Sequence, residues 1–442
     1  MNNSSLRHLL VRPLIFITIV ALSACSVLSP ATPTTPTPSE LIPLHIYTYR
    51  QPPVSQVLDI VTKAFQAQHP EVKITIDAIT DDPAKQLASM ASGTGMPDVI
   101  WSIDSLTPSL VDAGLLLDMR EIANVDPSFK LDGIDSRALA MGSVANHPGL
   151  YMVPVVMDNV EMFYNKDLFK DSGAPLPGAD WTWDDLIAAC KQIQDAHSNV
   201  TCIDYSYFGQ LNAGWWGYLL PWMRGYGGNA LSADGKQSTF SSPESLRGIQ
   251  AYVDLWTQHH IAAYQGGRTD CFVTAKCAVT FGISGGLDFL QERIDKMFEW
   301  DVQRMPSHPQ GRYTGSLTYG YAISKNTQHR DLAWEFIKMM LNPEVQRTIA
   351  LNHAGLPVLK SLATDASLTG KNAPANMQVF YQGGDSVIFP PAYPPACGNF
   401  YTGLVQSTLD SAVRQVITGS NVIDTFKQVD TTIQECLDSG TQ

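Results

Sequence analysis

Between Leu44 and Ala113 strand-like and helix-like patterns alternate with little chain between them, and this alternation constrains the fold more than any other feature. Leu44 to Tyr49 reads as a strand, and Val54 to His69 places Leu58, Val61 and Phe65 on one helical face. Val72, Ile74 and Ile76 alternate as strand residues do. A short helix is expected from Pro83 to Ala91, ended by Gly93. Asp98 to Trp101 reads as a buried strand, and Leu106 to Ala113 as a helix. A β-α-β-α order requires crossover connections, hence a parallel sheet with helices on both faces. The 442 residues are 44% hydrophobic and 16% charged, which excludes a disordered chain and supplies core for about two to three domains. With 29 basic and 42 acidic residues the net charge is −13, which argues against nucleic-acid binding and against adsorption on an anionic membrane by charge alone.

The amino-terminal segment points to the compartment. Arg7 and Arg12 flank the start of an apolar run, Leu14 to Leu22, and no acidic residue precedes Glu40. The run is too short to span a bilayer and reads as a signal peptide, residues 1–24. Leu22-Ser23-Ala24-Cys25 follows and resembles the lipobox of bacterial lipoproteins, which makes Cys25 the expected site of diacylation. Two or three acyl chains anchor stably where one does not. Residues 25–40 are rich in Ser, Thr and Pro and are expected to be a tether. No later stretch is long and apolar enough to span, so the mature chain is expected to be anchored, facing the extracellular or periplasmic side.

Six cysteines remain beyond Cys25, an even number suited to an oxidising compartment. Proximity in sequence suggests Cys190–Cys202, Cys271–Cys277 and Cys397–Cys436, one of many possible connectivities. The spacings lack paired C-x2-C units, so no zinc site is expected, nor any other metal or cofactor. Further along, Thr182-Trp183-Asp184-Asp185 resembles a capping box before a helix over Leu186 to Gln194. Ser242-Pro243 opens another helix. Ala278 to Phe281 and Tyr319 to Ser324 read as strands, and Arg330 to Leu341 as a helix stopped by Pro343. Helices are also expected across Val405 to Ile417 and Val422 to Cys436.

Several segments resemble the bacterial extracellular solute-binding proteins, the group that contains the maltose-binding protein. Gly95-Met-Pro-Asp-Val-Ile-Trp101 with Leu110-Val-Asp-Ala-Gly114 fits their "G-x-x-P-D-v … l-x-x-x-G" tract. Met152-Val-Pro154 through Phe163-Tyr-Asn-Lys-Asp-Leu-Phe169 fits their most recognisable segment. Pro175 and Trp181-Thr-Trp-Asp-Asp-Leu186 continue it. Tyr319-Gly-Tyr-Ala-Ile-Ser324, Trp334-Glu-Phe336, Asn342-Pro-Glu344 and Thr418-Gly-Ser-Asn-Val-Ile423 follow in the family's order. The likeness runs from about residue 41 to 436.

This resemblance implies an α/β chain with a two-lobed fold of the type II periplasmic-binding-protein kind, with hinge strands and an interlobe cleft. Lobe 1 would comprise 41–156 and 307–345, and lobe 2 157–306 and 346–442. The chain would cross near Val155–Asn159, Val302–Pro306 and Asn342–Leu351, placing all three disulfides in the second lobe. It also implies a monomeric, substrate-binding lipoprotein of an ABC importer that captures a carbohydrate and hands it to a permease.

A sugar cleft needs aromatic faces and planar polar forks. Tyr47 and Tyr49 end the first strand and Arg50 follows, with Tyr47 as readily a core residue. Trp101 and Asp104 resemble the family's sugar-contacting aromatic and acid, and Asp158, six residues before Tyr164, resembles its sugar-contacting carboxylate. Trp215 or Trp216 resembles a stacking aromatic; one of the two is expected to pack instead. Tyr319 is expected to face the cleft, and a Pro-rich loop offers Phe389 and Tyr393. Trp181, Trp183, Trp256, Trp300 and Trp334 read as packing residues. Where the family often carries a Trp after a Gly, this chain has Gly282-Ile-Ser-Gly-Gly-Leu287. There Gly285 and Gly286 could let the backbone approach a ligand, or an anionic group, closely. That turn, with Arg50, motivates a second ligand class: a phosphorylated or otherwise anionic solute. A third reading is enzymatic. Gly282-Ile-Ser284-Gly-Gly286 fits G-x-S-x-G, with Asp331 and His353 downstream in triad order. No HGGG-type oxyanion loop precedes it, so the binding reading is preferred.

Overall fold

The computed structural model describes residues 41–50, 54–78, 96–103, 106–144, 147–205, 216–263, 271–365, 367–368, 374–382, 387–391, 393–394, 397–398 and 403–439. The expected helix at Pro83–Ala91 and the leader and tether lie outside them. The chain opens with β1 (Ile42–Thr48), α1 (Val54–Gln68), β2 (Val72–Ala78) and β3 (Val99–Ile103). Then come α2 (Thr107–Asp112), α3 (Arg120–Val125), α4 (Ser136–Ala140) and β4 (Val153–Asn159). A second set follows: β5 (Glu161–Asn165), α5 (Lys166–Ser172), α6 (Trp183–Ala196), β6 (Thr201–Asp204), α7 (Trp216–Gly225), α8 (Pro243–Thr257), β7 (Ala262–Ala263), β8 (Cys277–Gly282), α9 (Leu287–Ile294) and β9 (Trp300–Gln303). The chain closes with β10 (Thr314–Ile323), α10 (Arg330–Met340), α11 (Pro343–Leu351), β11 (Leu356–Pro357), β12 (Val387–Ile388), α12 (Gly403–Ile417) and α13 (Val422–Ser439).

Two sheets result. The first has the order β11-β4-β10-β3-β1-β2, with β12 beside β10; the second has the order β7-β6-β8-β5-β9. β1 runs parallel to β2 and β3, as the alternation requires, and β10 is antiparallel to both β3 and β4. Each lobe has its own interior. In the first, Val57, Leu58, Val61 and Phe65 of α1 recur at helical spacing and pack with Leu44 and Ile46 against Phe336 and Ile337 of α10. In the second, Met162 and Tyr164 face one side of β5 with Trp183, Trp222 and Tyr252, while Phe163 faces the other with Leu287, Leu290 and Phe380. This is the two-lobed α/β architecture expected from the sequence.

Local chemistry accounts for the most recognisable motif. Asn165 caps α5 by accepting from the Asp167 and Leu168 amides, and Gly173 ends the helix in the left-handed region at φ 71°. Tyr164 and Phe169 meet edge to face at 5.9 Å. The capping box on α6 is present, Thr182 and Asp185 bonding reciprocally. Ser242 caps α8, with Pro243 in its first turn. The three disulfides are Cys190–Cys202, Cys271–Cys277 and Cys397–Cys436, as sequence proximity suggested.

The first passage between the two sheets lies at Val160. β4 stays in the first sheet through Asn159, so only Val160 separates it from β5 in the second. Val345 and Ile349 of α11 and then Ala354 and Val358 pack into the first lobe, and β11 pairs with β4. Asn342-Pro343 caps a helix that folds back on the same lobe. The second crossing, β9 to β10, is tied to the first: the Met305 amide donates to the Glu161 carboxylate at 2.8 Å. Glu161 is buried, which pushes its carboxyl up to about 8 against the pull of Met305 N–H and the charges of Arg304 and Arg312.

Two predictions follow from this packing. Unfolded, Glu161 ionises near 4.5, whereas folded it keeps its proton to about 8, so stability falls as pH rises through that window. His308, packed tilted against Trp183 and edge-on against Trp222, is pushed down to about 3 by burial and acts oppositely, below its ordinary 6.5. Between about pH 6.5 and 8.5 the Glu161 contribution therefore stands clear of His308 and costs about 2 kcal/mol. Urea titrations should show this slope in the parent and its loss in Glu161→Gln; the same slope in both would refute the assignment. At Gly248 of α8 a Cβ would lie 2.4 Å from the Trp222 carbonyl oxygen and 2.7 Å from Met223 Cα. Alanine there gains about 1 kcal/mol of helix propensity, but the backbone of α7 must move. Gly248→Ala is expected to destabilise by about 1–3 kcal/mol, and a higher denaturation midpoint would contradict this contact.

Candidate functional site

Strand direction locates the crevice. Both β3 and β4 are antiparallel to β10, so the carboxyl ends of β1, β3 and β4 share one edge of the first sheet. In the second sheet β6 and β8 run parallel, and Gly282 at the end of β8 pairs with Glu161 at the start of β5. The carboxyl ends of both sets therefore converge on the Val160 crossing. In open α/β sheets that is where ligands bind, because the loops there leave a hollow between diverging connections.

Three of the sequence-selected aromatics lie together on the first-lobe side. The half-buried rings of Tyr49, just after β1, and Trp101 of β3 stack at 5.7 Å with 28° between planes. Trp101 meets Tyr319 of β10 at 6.3 Å and 40°. Register explains the arrangement: Tyr319 and Tyr321 of β10 oppose Ile103 and Trp101 of β3, which turns alternate side chains to one face. Below them Tyr321 Oη and Thr48 Oγ1 lie 3.2 Å apart. Tyr319 is buried and its hydroxyl donates to the Ala354 carbonyl at 3.4 Å. Burial raises the Tyr319 phenol well above its ordinary range. The Trp101 indole N–H is buried and has no partner among the described residues. Arg50 is exposed next to Tyr49.

The remaining candidates fall elsewhere. Asp104, Trp215 and Cys25 lie outside the described residues, as does the side chain of Trp216, which begins α7. Tyr393 is buried in the interior of the second lobe. Trp183, Trp256 and Trp334 are core residues, and Trp181 and Trp300 pack half-buried against core clusters.

Asp158 has local partners. One carboxylate oxygen accepts from the Ser284 amide at 2.9 Å and the Ser284 hydroxyl at 2.7 Å; the other accepts from the Gly285 amide at 2.9 Å. Its side chain is 1% exposed, and burial pushes the carboxyl up to about 6 in spite of those donors. Sequence reasoning had listed Asp158 and Gly285 separately as ligand contacts and missed Ser284 as the group between them. A four-residue turn with two glycines facing a buried acid was the available signal. One helical turn on, His353 Nδ1 lies 2.5 Å from Asp288 Oδ1.

These contacts dismantle the hydrolase arrangement. Ser284 Oγ donates its proton directly to the Asp158 carboxylate at 2.7 Å and not, among the described hydrogen bonds, to a histidine acting as base. Asp204, Cys271 and Cys277 come close enough to suggest a metal site, but the two sulfurs are joined to each other.

Comparison with known proteins agrees. Residues 50–347 match the family model of the bacterial extracellular solute-binding proteins. The fold is similar to an ABC substrate-binding protein from Listeria monocytogenes in complex with cycloalternan, at 21% identity and TM-score 0.76, covering 90% of this chain and 99% of that one. It is similar to the cyclic alpha-maltosyl-1,6-maltose binding protein of Arthrobacter globiformis, at 19% and 0.75, covering 90% and 100%. UgpB from Mycobacterium tuberculosis in complex with glycerophosphocholine matches at 18% and 0.73, covering 90% and 99%. Among the described residues no helix is long and apolar enough to cross a membrane. With the family model matched over more than half its length, the chain belongs to the bacterial extracellular solute-binding proteins, and it binds its solute without transforming it.

Proposed function

We propose that this protein captures a carbohydrate, of oligosaccharide size, in the crevice beside the Val160 crossing and delivers it to the permease of an ABC importer. The observation that carries this reading is the wall of Tyr49, Trp101 and Tyr319, with a buried indole N–H at its centre that has no partner among the described residues. Sugar rings present an apolar C–H face to such a wall and hydroxyls to such a donor. The likeness to a structure in complex with cycloalternan and to a cyclic alpha-maltosyl-1,6-maltose binding protein supports the same class. Ligand that touches both lobes adds contacts to the closed arrangement alone, and that differential affinity shifts the hinge equilibrium. Anchoring through Cys25, with residues 26–40 as tether, would keep the body near its permease.

The competing ligand is a phosphorylated or otherwise anionic solute, and one similar structure holds glycerophosphocholine, a zwitterionic phosphodiester. Its motives in the sequence are Arg50 and the Gly-rich turn. The amides of Ser284 and Gly285 already donate to the chain's own carboxylate at Asp158, which leaves that turn a poor phosphate cradle.

A thermal-shift panel of linear and cyclic maltooligosaccharides and of glycerophosphodiesters chooses between them, because a ligand that binds only the folded state raises its melting temperature. A rise with an oligosaccharide is expected; a rise with the phosphodiester alone would overturn the reading. Trp101→Ala should weaken that oligosaccharide at least about tenfold, or about 1.4 kcal/mol. Trp101→Phe, which keeps an aromatic face but loses the pyrrole ring with its N–H, should lose less. Equal affinity in all three proteins would remove Trp101 from the site. Separately, Cys25→Ser should move the protein from the membrane fraction to the soluble fraction, and retention in the membrane would end the lipoprotein assignment.

A further inference from the structure

Two first-lobe side chains grip the same short piece of the second lobe. That piece is the turn Ser284–Gly286 leading into α9, whose Leu287, Leu290 and Ile294 are buried among second-lobe residues such as Phe163 and Val302. Asp158, at the end of β4, takes three hydrogen bonds from Ser284 and Gly285. His353, in the turn between α11 and β11, meets Asp288 in the first turn of α9. Ser284 and Asp288 are one helical turn apart, so the two contacts act on one end of one rigid element.

The His353 contact is made under constraint. Its backbone sits at φ 50°, a region uncommon for residues other than glycine, and its side chain is almost fully buried while Asp288 is 61% exposed. Surroundings that hold a histidine in such a conformation fix where its ring points. Asp158 and His353 lie on the first-lobe side of the Val160 crossing, and Ser284, Gly285 and Asp288 on the other. A rotation of one lobe against the other therefore changes these distances, and both contacts can be at hydrogen-bonding length only over a narrow range of interlobe angle.

We propose that Asp158 and His353 are positioning residues that hold the start of α9 against the first lobe and so set the interlobe angle at which ligand is bound, Asp158 acting through Ser284 and Gly285 and not by touching the ligand. This rests on the carbohydrate-binding reading, which it extends from the wall that contacts the sugar to the device that holds the second lobe over it. Loss of the two contacts opens the ligand-free protein and lets bound ligand escape sooner, without altering the wall it first meets.

The test compares the parent with a Ser284→Ala/Asp288→Ala double variant, which removes the His353 contact and the side-chain bond to Asp158 while the two backbone bonds to Asp158 remain, and with Asp158→Asn. The double variant keeps Asp158 and His353 in place and alters only one exposed acid and one hydroxyl, so it is expected to fold. Small-angle X-ray scattering without ligand should give it a larger radius of gyration. Stopped-flow with maltotetraose as probe should show dissociation faster by about tenfold and association changed by less than about threefold. Asp158→Asn should behave in the same way. Unchanged scattering and dissociation in the double variant would overturn the proposal. So would an Asp158→Asn protein that loses affinity while its scattering matches the parent, since Asp158 would then be a direct contact. If the double variant scatters as the more open particle while maltotetraose binds neither protein, the positioning role stands and the carbohydrate reading falls.

Discussion

A single residue, Val160, separates the last strand of one sheet from the first strand of the other, and most of the molecule's organisation depends on how that passage is braced. So short a connection cannot by itself fix an angle between two lobes. The bracing comes from two buried acids on either side of it. Asp158 faces across to the turn before α9, and Glu161 faces back to the Met305 amide on the second crossing. Both are shifted upward by burial. Each carboxyl is held in a dry environment by backbone N–H groups, with Ser284 Oγ added at Asp158 and no cation in direct contact in the bonds described. Neutral-donor bracing of this kind is directional, so it specifies geometry more than it adds strength.

Much of the fold was legible because it rests on local patterns. The α1 periodicity, the caps at Thr182 and Ser242, and the order of strands and helices before Ala113 all read directly from residue spacing. Cysteine pairing by proximity also matched the structure. What escaped depends on partners distant in sequence. β10 is ten residues long, yet its first half carries Gly315, a poor strand former, beside Ser316, and it pairs because β4 and β12 lie beside it. The folding back of α11 depends on Val345 and Ile349 packing into the same cluster as Phe336 and Ile337, contacts that no local pattern announces.

The site was legible in part, and for a chemical reason. An aromatic near a strand's carboxyl end is a local fact, so Tyr49, Trp101 and Tyr319 could be chosen one by one and are found in contact. Whether an acid points at ligand or at its own chain is a non-local fact. Asp158 and Ser284 are 126 positions apart, and nothing in either segment alone announces that they meet. Likeness to the maltose-binding branch supplied a role for Asp158 but could not supply its neighbour, because this chain replaces the family's Gly-Trp with a serine and two glycines.

That replacement can be followed to a physical consequence. A tryptophan after β8 would add an apolar face to the second-lobe side of the crevice. A serine and two glycines instead present a hydroxyl and free amides, which need an acceptor once buried. Asp158 is that acceptor, and the fit between them converts a place where the backbone could have cradled an anion into a seam between lobes. The first lobe then keeps the described stacking surface, and the second contributes closure. Under the proposed function, such an arrangement would distinguish solutes by the ring face they offer to one wall, and bound from free by an angle that its own buried groups already favour.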